Sequence, residues 1–191
     1  MPTSLSPNQV VNRAINLIGD DQPPVTGTLP NFDTSPAGVA AAALYTSVVQ
    51  TVLRTYGWDF SRNQAVLAVT GNAPPPQFAF EYAYPTMGIE VRQLQPSVRA
   101  DPNTPTPVTW TVGNATVAGV PTKVIWTNLA TALATISNQP PEGLWDAGFT
   151  ESVVRLLASE MAMAIAARPD TSKEMLESAG DFERAAEGRD G

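Results

Sequence analysis

Apolar residues keep a helical period at both ends of this chain and alternate in its middle. Near the N-terminus Val10, Val11, Ala14, Leu17 and Ile18 form one face, the spacing of an amphipathic helix. Ser6-Pro7 opens that helix as a cap residue followed by proline, Gln9 is placed to complete a capping box, and Gly19 stops it. Ser35-Pro36 repeats the start signal. Val39, Ala43, Leu44, Ser47, Val48, Thr51 and Val52 then hold the period until Gly57 breaks it. From Ala147 to Ala167 a third stripe carries Phe149, Val153, Leu156, Leu157, Met161, Ala164 and Ile165. Pro169 ends it, and Thr171-Ser172-Lys173-Glu174 reads as a capping box opening a last helix with Met175, Leu176, Ala179 and Phe182 on one face.

Between these stretches the period changes to two. Val108, Trp110 and Val112 alternate, as do Ile89 and Val91, and Lys123–Thr127 is a β-branched and aromatic run. Phe78, Phe80, Tyr82 and Tyr84 alternate before Pro85, which puts all four on one face of an extended segment, against a core or a partner. Gly113-Asn114 and Gly119-Val120-Pro121 read as turns between short strands. Ala73–Pro76 and Arg99–Pro107 read as loops, the second the more mobile. The 18 prolines avoid Ala37–Ala73 and Glu142–Arg168, where long helices can therefore lie.

Charge narrows the partners. Eleven Lys+Arg against 18 Asp+Glu give a net charge of -7. From Glu142 onward there are 11 acids and 5 bases, so the excess lies almost wholly in the last third. A protein that grips phosphate backbones carries the opposite sign, which disfavours sequence-specific DNA binding but not passage of DNA. A solvated acidic helix surface is the plain reading of that tail. No apolar run reaches the roughly 18–20 residues of a membrane helix, because Thr46, Ser47, Gln50 and Thr51 interrupt Ala37–Leu53. Met1-Pro2-Thr3-Ser4 carries no basic segment ahead of an apolar one, so no signal peptide is read.

The usual chemistry is missing. With no His and no Cys there is no Ser-His-Asp or Cys-His nucleophile and no ordinary zinc site, and neither a P-loop nor a G-x-G-x-x-G spacing occurs. Asp20-Asp21 is the most compact carboxylate pair, but it follows a helix stop and precedes Pro23-Pro24, the setting of a solvated loop. Glu174, Glu177 and Asp181 lie near one helix face, where a surface role outweighs catalysis. No cofactor, metal site or catalytic residue is assigned.

The order and spacing of several pieces resemble the tail tubular protein A family, the head-to-tail adaptors of short-tailed bacteriophages. They are Val10-Val11-Asn12 with Ile18-Gly19, then Ala43-Leu44-Tyr45 leading through Val52-Leu53-Arg54 to Gly57-Trp58-Asp59-Phe60. Tyr82-Ala83-Tyr84-Pro85 ahead of Ile89-Glu90-Val91-Arg92 follows, then Val124-Ile125-Trp126-Thr127-Asn128, then Leu144-Trp145-Asp146 with Phe149. The likeness runs from roughly Gln9 to Glu187, and the chain departs from it at Phe78-Ala79-Phe80 and around Pro102.

That resemblance implies an α+β subunit, mainly a helical bundle with a small antiparallel β-sheet region in the middle of the chain. It implies one adaptor domain over 1–191, helical at 6–60 and 142–188 and β-rich at 61–141. Such subunits form a ring, about twelve copies, between the portal protein and the tail nozzle or tube, with a central channel for DNA. The chain would then be a structural component of the virion at the head–tail interface, assembled in the host cytoplasm, with no enzymatic activity and no membrane. Trp58, Phe60, Trp145 and Phe149 are the expected fold anchors. Met175, Leu176 and Phe182 are the candidate partner interface, and Glu177, Asp181 and Glu187 the candidate lumen acids. The competing readings are a head-completion protein of a long-tailed phage or phage-derived particle, a cell-encoded helical interaction domain, and a carboxylate-based hydrolase.

Overall fold

A computed structural model describes residues 5–19, 23–97, 108–166 and 169–187, without the side chains at 166, 169–172, 182, 183 and 185–187. The Asp20-Asp21 pair, the loop 99–107 and the side chains of Phe182 and Glu187 lie outside the described residues. The chain divides into two compact units, Met1–Phe60 with Gln139–Gly191, and Ser61–Asn138.

The first unit holds helices α1 (Pro7–Ile18), α2 (Pro36–Thr55), α3 (Ala147–Met161) and α4 (Pro169–Glu187). It also holds a two-stranded ribbon, β1 (Gly27–Thr28) with β2 (Asn31–Phe32). Local chemistry sets the helix ends. The Ser6 N–H donates to Gln9 Oε1 at 3.0 Å, Gly19 closes α1 in the left-handed conformation at φ 69°, and the Ser35 hydroxyl accepts from the Gly38 N–H at 3.0 Å. Asp146 caps α3, accepting from the Phe149 N–H at 2.6 Å. Val10, Val11 and Ala14 of α1, Tyr45, Val49 and Val52 of α2, and Phe149, Val153 and Leu157 of α3 are fully buried.

Two of the expected helix faces are rotated. In α1 the core takes Ile15 and leaves Leu17 38% exposed. In α2 it takes Ala37, Ala41, Tyr45, Val48, Val49, Val52 and Leu53, while Val39, Ala43, Ser47 and Thr51 face outward. A helix apolar nearly all round offers several faces of the right period, so periodicity alone cannot choose among them. At the other end of the unit α3 gives way to a π-helical turn at Ala162–Ala166, and α4 begins at Pro169. Thr171 thus lies inside α4 and does not cap it; proline at the first helical position starts the helix instead.

The second unit overturns the expectation of a mainly helical bundle with a small sheet region. It contains β3 (Arg62–Val66), β4 (Phe80–Ala83), β5 (Glu90–Pro96), β6 (Trp110–Val117), β7 (Val120–Thr127) and β8 (Ala132–Ser137). They form two antiparallel three-stranded sheets, β3-β8-β5 and β4-β7-β6, and the chain is 42% helix and 27% strand. The class is α+β with a substantial sheet component. β3 and β8 are the strands that local pattern hides: β3 reads Arg-Asn-Gln-Ala-Val, and β8 is alanine-rich. Each becomes a strand through its long-range partner, not its own propensity.

Beyond β3 the chain runs on to pair with β4 through Val69 and Tyr82, which links the sheets. One apolar core serves both, made of Leu67, Tyr82, Val91, Leu94, Ile125, Ala132, Ala134 and Ile136, with Phe80 and Tyr84 packed against it. Gly113-Asn114, expected as a turn, lies inside β6. A Cβ on Gly113 would come 2.2 Å from the Trp126 ring, so glycine serves close packing there and not chain reversal. The reversal falls at Ala118-Gly119, both at positive φ (49° and 82°), the conformation of a tight hairpin turn.

Candidate functional site

Within the helical unit the four anchor residues meet. Trp58 is 2% exposed, its ring 5.1 Å from that of Phe149, and the Phe60 and Trp145 rings lie 5.0 and 4.8 Å from the same phenylalanine. Edge-on geometry at three of its contacts makes Phe149 the hub, at the start of α3 where Asp146 holds the first turn. Trp145 Nε1 donates to the Pro140 carbonyl at 3.0 Å, which fixes the chain entering α3. Nearby, Tyr45 is fully buried and donates to Glu142 Oε1 at 3.0 Å. Burial, and after it the Glu142 carboxylate, pushes the Tyr45 phenol far above its usual range. These groups hold α2 to the head of α3.

The outward face of α2 carries no charge before Arg54. Between Pro36 and Leu53 there is no charged residue, yet Val39 is 60% exposed and Ala43, Ser47 and Thr51 are exposed with it. Leu44, Ser47 and Thr51 of α2 join Leu156 and Glu160 of α3 around a shallow groove of about 230 Å³. By length and composition α2 is long and apolar enough to cross a membrane (mean hydropathy 1.4), a possibility the sequence reading excludes on its four polar residues. In the protein 44% of that window is buried by packing. Leu144 and Met163 are further exposed apolar residues, at 64% and 53%.

The α4 residues divide. α4 packs along α3 and buries Ala179, while Met175 is half-buried and Leu176 is 52% exposed. Leu176 therefore leaves the apolar face on which sequence period places it. Glu177 and Asp181 are exposed, and Asp181 Oδ1 receives Arg184 Nη2 at 2.7 Å, so part of the acidic face is neutralised within its own helix.

The β unit contributes a buried carboxylate that sequence reading passed over. Glu81 is 4% exposed and accepts from Thr70 Oγ1 at 2.6 Å, Asn72 Nδ2 at 2.9 Å and Trp126 Nε1 at 2.8 Å. Burial alone would raise its pKa, but the hydrogen bonds from Thr70, Trp126 and Asn72 outweigh it and hold the group below the usual range. A general acid needs the opposite shift, so this carboxylate is a clasp between β4, β7 and the Thr70–Asn72 bend. The signal in sequence was a lone acid on the polar side of the aromatic alternation. Among the described residues no cluster of three acidic side chains is placed to hold a metal ion.

No protein-family model matches this chain, and no curated protein matches it.

Proposed function

We propose that this chain is a virion structural protein, a head-to-tail adaptor subunit that assembles as a ring between the portal and the tail nozzle around a channel for DNA. The observation that carries the reading is the outer face of α2. In a chain of net charge -7, a long helix face without a single charge of its own before Arg54 suits subunit contact, with Glu160 of α3 the one charged residue lining the groove beside it among the described residues. The groove beside Leu44 and Leu156 gives a neighbour's side chain a place to enter. Repeated head-to-tail, such a contact closes a ring. The ordered likeness from Val10 to Phe149 supports the same reading.

The exposed Leu176 and half-buried Met175, with Phe182 from the same helix, are assigned to a contact with a neighbouring subunit or the portal. Of the two lumen candidates with described side chains, Glu177 is the stronger, because Asp181 is already paired with Arg184. An acidic wall repels the duplex and lets it slide.

Mass photometry and negative-stain imaging of the chain, alone and with its portal protein, test the reading. The expected result is a portal gaining about twelve copies of a 20.2 kDa subunit. Val39→Glu with Ala43→Glu should leave a folded chain that adds no ring. A portal mixture with no added mass, or full assembly of the double variant, would overturn the assignment.

A further inference from the structure

β3 ends its sheet, and only part of its outer edge is covered. The Leu67 N–H donates to the Ala132 carbonyl at 2.9 Å and the Asn138 N–H to Ser61 at 3.0 Å, with Ala65 opposite Ala134 in the same register. Residues in that phase face β8, so Gln64, Val66 and Ala68 turn their backbone groups outward. β4 covers this edge at one end: the Ala83 N–H donates to Ala68 at 2.9 Å, and the Thr70 N–H to Glu81 at 3.1 Å. At Pro85 the chain bends away, closed by the Gly88 N–H on the Pro85 carbonyl at 3.0 Å. Among the described residues no strand follows it along Gln64–Val66, where Asn63 Oδ1 takes the Gln64 N–H at 2.8 Å.

A groove of about 290 Å³ lies between this open edge and the Ala83–Met87 segment. Ile136 forms its buried floor, while Val66 and Met87 stand on its rim, 74% and 70% exposed. Ala65, a small residue on the core side of β3, leaves space next to Ile136 for an apolar side chain. No acidic residue lines the groove. At Tyr84, which does line it, Lys123 Nζ lies 3.9 Å from the ring centroid and its side chain is exposed.

We propose that this groove docks an extended segment of a partner chain, which adds as a strand to the Gln64–Val66 edge and turns an acidic residue toward Lys123. The outward Gln64 carbonyl and the Val66 backbone groups fix the occupant's conformation, because only an extended chain satisfies donors and acceptors spaced at the strand repeat. The apolar floor selects alternate apolar side chains, and the Lys123 ammonium selects the acid. The proposal is independent of the ring reading, since a single copy carries the whole groove.

The probe is a fluorescein-labelled Val-Glu-Val-Glu-Val peptide, with a Val-Lys-Val-Lys-Val counterpart, titrated onto the full chain by fluorescence anisotropy. The acidic peptide should bind saturably, and the basic one at least about tenfold more weakly. Val66→Pro removes an outward N–H from an exposed edge, a position where proline is tolerated. It should keep the melting temperature and weaken the acidic peptide by about tenfold or more, whereas Val66→Thr should bind as wild type. Lys123→Glu should reverse the preference between the peptides. On the wild-type chain, the acidic peptide should slow amide exchange at Val66, a readout that stands even where Val66→Pro fails to fold. Failure of both peptides to saturate, undiminished binding by a folded Val66→Pro, or unchanged exchange at Val66 would each overturn the proposal.

Discussion

Trp58 donates its indole N–H to the carbonyl of Val52 at 3.0 Å, six residues back in the last turn of α2. That carbonyl is among those a helix end leaves without an intrahelical partner, so one buried side chain both caps α2 and fills the core beside Phe149. Trp58→Ala should cost on the order of 3–5 kcal/mol, from lost burial and the cavity left behind. Trp58→Phe keeps most of the ring but orphans the carbonyl and should cost about 1–3 kcal/mol. Urea denaturation of the two variants separates the contributions. A Trp58→Phe variant as stable as wild type would mean that the hydrogen bond carries nothing.

The Glu81 clasp makes a second test. Glu81→Leu would leave Trp126 Nε1, Thr70 Oγ1 and Asn72 Nδ2 without their common acceptor, at about 1–3 kcal/mol for each buried donor that water cannot reach. Glu81→Gln keeps one acceptor oxygen but sets an amide donor against the other donors, so it should recover only part of the loss. Equilibrium denaturation gives the ranking, and tryptophan emission reports whether Trp126 has moved. A Gln variant as stable as wild type would show that the charge is dispensable.

Asp33 ties the ribbon to the start of α2. It accepts from the Ser35 hydroxyl at 2.5 Å, from the Thr26 N–H at 2.6 Å and from the Ser35 N–H at 3.1 Å. Those bonds, the Ser35 hydroxyl first, lower its pKa from 3.8 to about 2. Because the folded value lies below the unfolded one, the clasp contributes in full above the ordinary carboxylate range. Its contribution fades as pH falls from near 4 toward 2. An NMR titration of the Asp33 carboxyl should give a midpoint near 2, and Asp33→Asn should flatten the stability profile over that interval. A midpoint near 4 would show that the clasp is open in solution.

Ala118 sits at φ 49° in the β6–β7 turn, a conformation that costs an L residue with a Cβ about 1–2 kcal/mol. Ala118→Asn creates the Asn-Gly pair that such turns favour and should raise stability by on the order of 0.5–1 kcal/mol. Thermal melts of the variant should shift upward. No shift, or a loss, would show that the turn takes another geometry in solution.

The elements most legible in the sequence were those whose physics is local. Ser6-Pro7, Ser35-Pro36 and Gly19 mark helix ends because their backbone groups are satisfied within a turn. The alternation through Phe80, Tyr82 and Tyr84 identified a core face because a strand's side chains must alternate. Ambiguity entered where one local signal serves two structures. Gly113 looks like a turn until the Trp126 ring occupies the space its side chain would need.

The chain by itself therefore determined where α1, α2 and α3 begin, which aromatic residues seek burial, and that its acids crowd the last third. Tertiary structure alone decided which face of α2 meets the core, since an apolar helix has no preferred side until Tyr45 reaches Glu142 and α3 packs beside it. It decided that β3 and β8 are strands at all, because Asn63, Gln64 and the alanines of β8 hold strand conformation only through the ladder they form together. It also assembled both candidate surfaces. The α2–α3 groove and the open β3 edge each join segments far apart in sequence, and no local pattern records a contact that exists only after the chain has closed on itself.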